Sequence, residues 1–434
     1  MTARKHSYKR VGVLGLGFVG LPLSLLLYKK GFQVTGIDID ENKLKALRAG
    51  DSYISEVCPI QLKEAFLSGK YEVSDSMDVL KRQDIIIVCV PTPLNENNLP
   101  DLSYLKSAGE AISQQLKSGH LIILESSTFP GTTRDIFLRI LEQSGKKVGR
   151  DFHLAYSPER IDPGNEKFKV EEIPKIVSGV TPSCLTLVFE VYNNVYDSVV
   201  KVNSPEVAEI TKLLENCYRY INISFINEFA MLCDKLNIDI WEVIKAASTK
   251  PYGFQPFFPG PGIGGHCIPV DPLYLKYKAL QAGAPHQFID LSQSINDSIP
   301  VYIAGQLEKI FSKPFQQLSV LIYGVTYKPD VKDIRGSSAI QVIEQLVKKG
   351  VDVKFHDPFV DEIVLESNVS MKGVKITDEL LGSVDCVLIL TDHTVIPVDK
   401  IIKHSKNVYD TRNVTRGLNG KAEVYRLGGG FDVV

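Results

Sequence analysis

The chain has 434 residues, 44% of them hydrophobic and 23% charged, with a formal net charge of −2. That is too long for one core of ordinary size, because domains cluster at about 100–200 residues, so two or three domains are expected. The near-neutral balance excludes an electrostatic claim on nucleic acid or an anionic membrane surface. The apolar runs at residues 85–90 and 121–124 also fall far short of the ~20 residues that span a bilayer. Residues 1–10 are basic and polar and lead straight into a strand, without the apolar core and cleavage site of a signal peptide. Seven cysteines, an odd number with no CxxC pair, argue against a disulfide framework and a structural zinc site. The expected address is the cytoplasm, with reduced thiols and no metal.

In chain order, residues 11–14 read as a strand, 15–20 as a glycine-rich turn, 21–30 as a helix closed by Gly31, and 32–37 as a second strand ending at Asp38. This is a βαβ unit. Short apolar runs at 84–90, 121–125 and 152–156, each followed by Pro or Ser-Thr turn chemistry, predict further buried strands of a parallel sheet over residues 1 to about 200. Residues 205–236 contain no Gly or Pro after Pro205 and show helical spacing in Val207, Ile210, Leu213, Leu214, Cys217 and Ile221. Ser204 can cap this helix, with Pro205 at its first position. At over thirty residues it is long for a globular protein and suits a connecting spine and dimer packing.

The opening grammar then recurs: a strand at 319–323, a loop, a helix at 338–349 closed by Gly350, a strand at 351–356 ending at Asp357, and a further strand run at 384–390. Both helices end Lys-Lys-Gly, with cations in the last turn and glycine where left-handed geometry is needed. The reading is α/β: two Rossmann-like doubly wound domains joined by a long central helix and a helical middle domain. Their expected bounds are 1–203, 204–305 with the cysteine loop, and 306–434.

Gly15-x-Gly17-x-x-Gly20 follows a strand, opens a helix and is answered by Asp38, eighteen residues after Gly20. This context makes it a dinucleotide fingerprint, with Phe18 and Val19 inside the turn. The pyrophosphate belongs on the helix N-terminus and the ribose 2′-hydroxyl on the acid. Asp38, Asp40 and Glu41 would repel a 2′-phosphate and no arginine follows, so NAD is favoured; Lys43 is the nearest cation and can reach the ribose. Pro91, Thr92 and Thr128, and then Glu159 and Arg160, lie just beyond strands, where open α/β sheets bind ligands; read alone, each is equally an ordinary turn or solvated residue. Lys212 and Asn216 are spaced i, i+4 and share a helix face. The loop at 326–338, TYKPDVKDIRGSS, concentrates cations before a helix start, a place suited to phosphate and equally readable as a charged surface loop.

Residues 260–272 read GPGIGGHCIPVDP. Glycine lets a backbone approach a ligand closely, so the loop reads as built around a small molecule. Its Cys267 is either a small buried hydrophobe or a reactive thiol, and His266 and Asp271 favour the second because a nearby base or cation lowers a thiol pKa. His266 is equally a shape-setting residue. Cysteines 58, 89, 184, 217, 233 and 386 read as packing residues.

Together these blocks resemble the UDP-glucose/GDP-mannose dehydrogenase family, the NAD-dependent enzymes that oxidise the C6 hydroxymethyl of a nucleotide sugar to a carboxylate. The resemblance rests on GLGFVGLPL at 15–23, VPTP at 90–93, ESSTFPGTT at 125–133, SPER at 157–160, AEITKLLENCYR at 208–219, the cysteine loop, and TYKPDVKDIRGSSA at 326–339. It implies a Cys267 nucleophile, proton relay or polarisation by Lys212 and Asp271, an oxyanion site at Asn216, and water positioned by Thr128 and Glu159. Lys328 would contact substrate and Arg335 would bridge the cofactor and sugar-nucleotide sites. Arg160, Phe257, Phe258, Gly260, Gly264 and His266 would complete the substrate pocket. The GGHC sequence, where the UDP-glucose branch reads GGSC, resembles the UDP-N-acetylhexosamine branch. Leu273-Tyr274, where the UDP-N-acetylmannosamine enzymes carry a Trp-Phe-like pair, is closer to those acting on UDP-N-acetylglucosamine. The implied partners are a UDP-sugar and a second copy of the chain, with no nucleic acid or membrane. UDP-N-acetylmannosamine, UDP-N-acetylgalactosamine and UDP-glucose are the alternative substrates, and a non-catalytic nucleotide-sugar or NAD sensor is the competing class.

Overall fold

A computed structural model describes residues 9–54, 57–161, 167–311 and 313–430, so of the basic stretch at 1–10 residues 1–8 lie outside the described residues. The chain divides into two compact units, Met1–Glu215 with Leu273–Ala284, and Asn216–Pro272 with Pro285–Val434.

The first unit is built on an eight-stranded sheet of β1 (Arg10–Leu14), β2 (Gln33–Ile37), β3 (Tyr71–Ser74), β4 (Ile85–Val88), β5 (Leu121–Leu124), β6 (His153–Tyr156), β7 (Lys175–Gly179) and β8 (Val199–Lys201). The order is β3-β2-β1-β4-β5-β6-β7-β8. Its first six strands follow the dinucleotide-binding order, whose switch point lies between β1 and β4. The runs Ile-Ile-Ile-Val in β4 and Leu-Ile-Ile-Leu in β5 are wholly buried, as a parallel strand covered on both faces must be. Each such side chain contributes roughly 1.5–3 kcal/mol of burial. The connections are α1 (Gly20–Lys29), α2 (Glu41–Ala49), α3 (Pro59–Leu67), α4 (Ser103–Gln115), α5 (Leu138–Glu142) and α6 (Pro182–Tyr192). The sheet is not uniformly parallel as the sequence predicts: β7 runs antiparallel to β6. A parallel neighbour needs a crossover, usually a helix, and among the described residues of 157–174 there is only a three-residue 3₁₀ turn, Val170–Glu172.

The predicted spine is one helix, α7 (Pro205–Leu236), started by Pro205 with the Ser204 hydroxyl accepting from the Val207 N–H at 3.4 Å. In the second unit follow α8 (Ile240–Ala247), then the start of α9 (Asp271–Ala282), and α10 (Gln287–Ile310). Next come β9 (Ser319–Tyr323), α11 (Ser338–Lys348), β10 (Asp352–His356), a hairpin of β11 (Glu362–Val364) and β12 (Ser370–Lys372), α12 (Asp378–Ser383), β13 (Cys386–Ile389), α13 (Val398–His404), β14 (Asn407–Asp410) and β15 (Glu423–Arg426). The five-stranded sheet, β10-β9-β13-β14-β15, is parallel throughout. This is the second common doubly wound order, with its switch point between β9 and β13.

The two sheets share one device at their first crossover. Gly15 N–H donates to Ile37 O at 2.8 Å and Gly324 N–H to His356 O at 2.9 Å. The acid after the second strand then accepts from the returning loop, Asp38 from Leu16 N–H at 2.8 Å and Asp357 from Val325 N–H at 2.7 Å.

Candidate active site

The turn after β1 has the shape its glycines dictate. Gly15 sits at φ +92°, and a Cβ there would lie 2.6 Å from the Cys89 carbonyl oxygen. A Cβ on Gly20 would collide with the Gly15 carbonyl, whereas one on Gly17 would meet nothing within 4 Å. Helix α1 opens with no side-chain cap and no acidic residue in its first turn. Its first N–H groups and positive dipole end therefore suit an anion, and the space above Gly17 suits a pyrophosphate.

Asp38 is buried; its Oδ1 accepts from Asp40 N–H at 3.0 Å and Lys43 Nζ stands 3.6 Å from Oδ2. The carboxylate is thus fixed at the end of β2, with Lys43 beside it. These residues fit NAD. Thr92 Oγ1 donates to Ser127 O at 2.8 Å, and the Thr92 carbonyl accepts from the buried Tyr274 hydroxyl.

Thr128 is fully buried and its Oγ1 has no hydrogen-bond partner, the state expected of a hydroxyl reserved for water or a ligand. The turn that follows is held by the buried Glu209 of α7. That carboxylate accepts from the N–H groups of Gly131 at 2.7 Å and Thr133 at 2.8 Å and from the Thr133 hydroxyl at 2.7 Å.

Glu159 is buried beyond the end of β6, its Oε1 accepting from the N–H groups of Arg160 and Ile161. Burial would raise its pKa, but Lys175, the Ile161 N–H, Lys212 and the Arg160 N–H together hold the carboxyl below the usual range. The charge of Lys212, buried on α7, thus reaches Glu159. Arg160 grips Glu215 with two nitrogens, at 2.6 and 3.3 Å, and the Pro174 carbonyl at 2.7 Å. It braces the Glu159 loop against α7.

In the second unit, Asn216 Nδ2 donates to Asp271 Oδ2 at 2.5 Å, and both residues are buried. Asp271 opens α9, and its N–H donates to the Cys267 carbonyl at 3.0 Å. Cys267 is therefore exposed at the N-terminal end of that helix, where the dipole favours a thiolate.

The glycines of its loop serve packing. A Cβ on Gly264 would lie 2.8 Å from the Gly336 carbonyl, and one on Gly265 2.7 Å from the Tyr327 ring. Gly265 N–H donates to Arg335 O at 3.1 Å, and Gly260 N–H to Asn227 Oδ1 at 2.9 Å. The loop is shaped to lie on residues 327–336, so its glycines have a packing reason that sequence reading does not name. The contact brings three predicted residues together: burial and the Arg335 charge lower the His266 pKa, and Arg335 also interacts with Cys267. The cation whose charge reaches the thiol is therefore Arg335, itself tied to Asp333 at 2.6 Å.

Lys328 lies in the same 327–336 segment, which is anchored from below. The fully buried His393 accepts from Asp330 N–H at 3.0 Å through Nδ1 and stands 3.1 Å from Asp357 Oδ2 through Nε2. Phe257 meets Tyr218 edge-on at 5.7 Å, and Phe258 stacks on Trp241 at 6.0 Å; both seat the segment before the loop on α7 and α8. Among the described residues no group of three or more His, Cys, Asp or Glu is placed to hold a metal, and no helix is long and apolar enough to cross a membrane.

Sequence reading misses Glu125, Lys175, Glu209 and His393. Glu125 and Glu209 stand inside recognised blocks, while Lys175 and His393 sit in no motif and acquire partners only through folding.

A glycine-turn sheet suited to NAD, a second doubly wound sheet and a cysteine loop with buried Asn216 and Asp271 define the class: a nicotinamide-dependent dehydrogenase with two nucleotide-binding sheets. The family models for UDP-glucose/GDP-mannose dehydrogenases match the chain in three parts, the NAD-binding domain at 9–196, the central domain at 206–298 and the UDP-binding domain at 321–417. The chain is 38% identical over 357 residues to the UDP-N-acetyl-D-glucosamine 6-dehydrogenase of Pseudomonas aeruginosa, covering 81% of this chain and 83% of that one. It is 33% identical over 423 residues to a UDP-N-acetyl-D-mannosamine dehydrogenase of Methanococcus maripaludis, covering 94% of each. The solved UDP-D-ManNAc dehydrogenase from Pyrococcus horikoshii superposes with a TM-score of 0.88 at 30% identity, over 97% of this chain and 99% of that one. The chain belongs to the UDP-glucose/GDP-mannose dehydrogenase family and is an NAD-dependent UDP-sugar dehydrogenase.

Proposed function

We propose that the chain oxidises UDP-N-acetylglucosamine at C6, by four electrons, to the corresponding uronate through a covalent intermediate on Cys267. The Asn216–Asp271 hydrogen bond carries the catalytic reading: residues 55 apart in sequence, neither needed by the other for helix formation, meet where the Cys267 carbonyl accepts from Asp271. The Leu273-Tyr274 pair and the Pseudomonas relative support the sugar.

NAD, when bound, accepts the hydride of each of the two oxidations, giving two NADH per sugar. Asp271, with Lys212 and water, takes the C6 hydroxyl proton, while Lys212 and Asn216 stabilise the developing alkoxide. The Cys267 thiolate attacks the aldehyde carbon, its sulfur–carbon bond giving a thiohemiacetal and, after the second oxidation, a thioester. Water held by Thr128 and deprotonated by Glu159 attacks the thioester, the carbon–sulfur bond breaks, and the acid leaves with the thiolate restored.

With NAD in excess, purified enzyme is expected to turn over UDP-N-acetylglucosamine faster than its galacto and manno epimers or UDP-glucose, with two NADH per uronate counted by mass spectrometry. The Pyrococcus structure and the Methanococcus relative favour UDP-N-acetylmannosamine as the second reading, and a faster rate with that sugar would establish it. Measurable binding with a flat NADH trace would instead mark a sensor.

A homodimer fits α7, whose second-unit stretch exposes Tyr218, Phe225, Phe229, Leu232 and Leu236 at helical spacing. Substituting Phe225 and Phe229 together by Glu is expected to halve the mass seen in sedimentation; an unchanged mass would place the pairing elsewhere. Seven cysteines without a disulfide among the described residues suit a cytoplasmic setting.

A further inference from the structure

A buried cluster of charge in the first unit joins two acids of the family blocks, Glu125 and Glu159, to a lysine that lies outside them. Lys175, on β7, has its Nζ 2.8 Å from Glu125 Oε2 and 3.3 Å from Glu159 Oε2, with all three residues buried. Glu125 directly follows β5 and accepts from the Tyr192 hydroxyl through its other oxygen. The ammonium also stands 5.7 Å from the Tyr192 ring centroid and 5.4 Å from that of Tyr196, so two aromatic faces fix it in place. Fully buried lysines are rare unless paired, and this one has two carboxylates. Only one of them, Glu159, also receives two backbone N–H groups and is the carboxylate proposed to take the proton of the hydrolytic water.

We propose that Lys175 is a positioning residue for thioester hydrolysis: its charge, delivered from the antiparallel strand β7, keeps the Glu159 carboxylate ionised and aimed so that it can take the proton of the attacking water. The proposal rests on the role given above to Glu159. In that step the water oxygen bonds to the thioester carbon, its proton passes to Glu159, and the carbon–sulfur electrons return to Cys267. A protonated Glu159 cannot take that proton.

The groups that face Glu159 are Lys175 from β7, Glu125 from the end of β5, Lys212 from α7, Cys89 from the end of β4, Tyr196 from beyond α6, and the N–H groups of Arg160 and Ile161. Glu125 and burial work against ionisation, so Lys175, Lys212 and the two N–H groups must outweigh them. Removing the nearest cation moves Glu159 toward its protonated form.

The test is single-turnover hydrolysis of the acyl-enzyme, followed by intact mass of the Cys267 adduct across pH 5 to 9. Lys175→Met is expected to move the acid limb of the hydrolysis rate to higher pH by about one unit or more. The thioester then accumulates near pH 6 and clears at pH 9, with KM for the sugar little changed; Lys175→Arg keeps the wild-type limb. Because the single change leaves the Glu125 charge buried without its cation, Glu125→Gln with Lys175→Met is measured beside it, and a smaller upward displacement is expected, since the acid that opposes ionisation of Glu159 is lost as well. An unmoved limb in both, while Glu159→Gln accumulates thioester at every pH, would overturn the role of Lys175. Wild-type hydrolysis by Glu159→Gln would overturn the underlying role of Glu159 instead.

Discussion

Cys267→Ser is expected to abolish uronate formation while leaving the fold intact. The thiol is exposed, at the N-terminal end of α9 beside Arg335, so the change of one atom removes no core contact and costs less than about 0.5 kcal/mol of stability. Its chemical effect is large. A serine hydroxyl lacks the thiolate that the helix end and the guanidinium favour, and an oxygen ester is a poorer acyl donor to water than a thioester. Uronate output should fall by about 10³-fold or more, some 4 kcal/mol of transition-state stabilisation. Product mass spectrometry with NAD in excess measures this, and thermal unfolding confirms the fold. Full uronate production by the serine variant would exclude the covalent route.

Much of the scaffold is legible in the sequence because local signals agree along the chain. Ser204 and Pro205 start α7 and nothing breaks it before Leu236, so its predicted and observed bounds coincide. The β1 and β9 crossovers are readable from apolar period, a closing Lys-Lys-Gly and a terminal aspartate; Gly31 and Gly350 indeed lie at φ +94° and +85°.

What escapes depends on contacts distant in sequence. Nothing within residues 157–174 announces that the chain turns back, yet that reversal sets Lys175 between carboxylates 50 and 16 residues away. The glycines of the cysteine loop read as room for a ligand because the segment they lie against, residues 327–336, is some sixty residues on. His266 stands next to the thiol in sequence and so presents itself as its activating base; only the folded neighbour Arg335 shows that the local cation comes from elsewhere.

Asp271 is the second residue whose loss should cost most, and two substitutions separate its two functions. Asp271→Ala removes the acceptor of the Asn216 amide, leaving a buried donor unpaired at a cost of about 1–3 kcal/mol. It also removes an acid from the first turn of α9, worth a further ~0.3–1 kcal/mol at the dipole's positive end. Asp271→Asn keeps shape and an amide oxygen that can accept from Asn216, so its unfolding midpoint should stay close to wild type, but an amide cannot take the C6 hydroxyl proton. Loss of a general base is worth about 10²–10⁴ in rate, and because Asp271 is proposed to act on a proton in flight rather than to hold the sugar, the deficit should fall on kcat with KM nearly unchanged. A kcat within about threefold of wild type for the asparagine variant would reduce Asp271 to a partner that orients Asn216 and shift the relay to Lys212. A normal kcat in the asparagine variant beside an unfolded alanine variant would lead to the same assignment from the stability side, since the hydrogen bond alone would then account for the burial of Asp271.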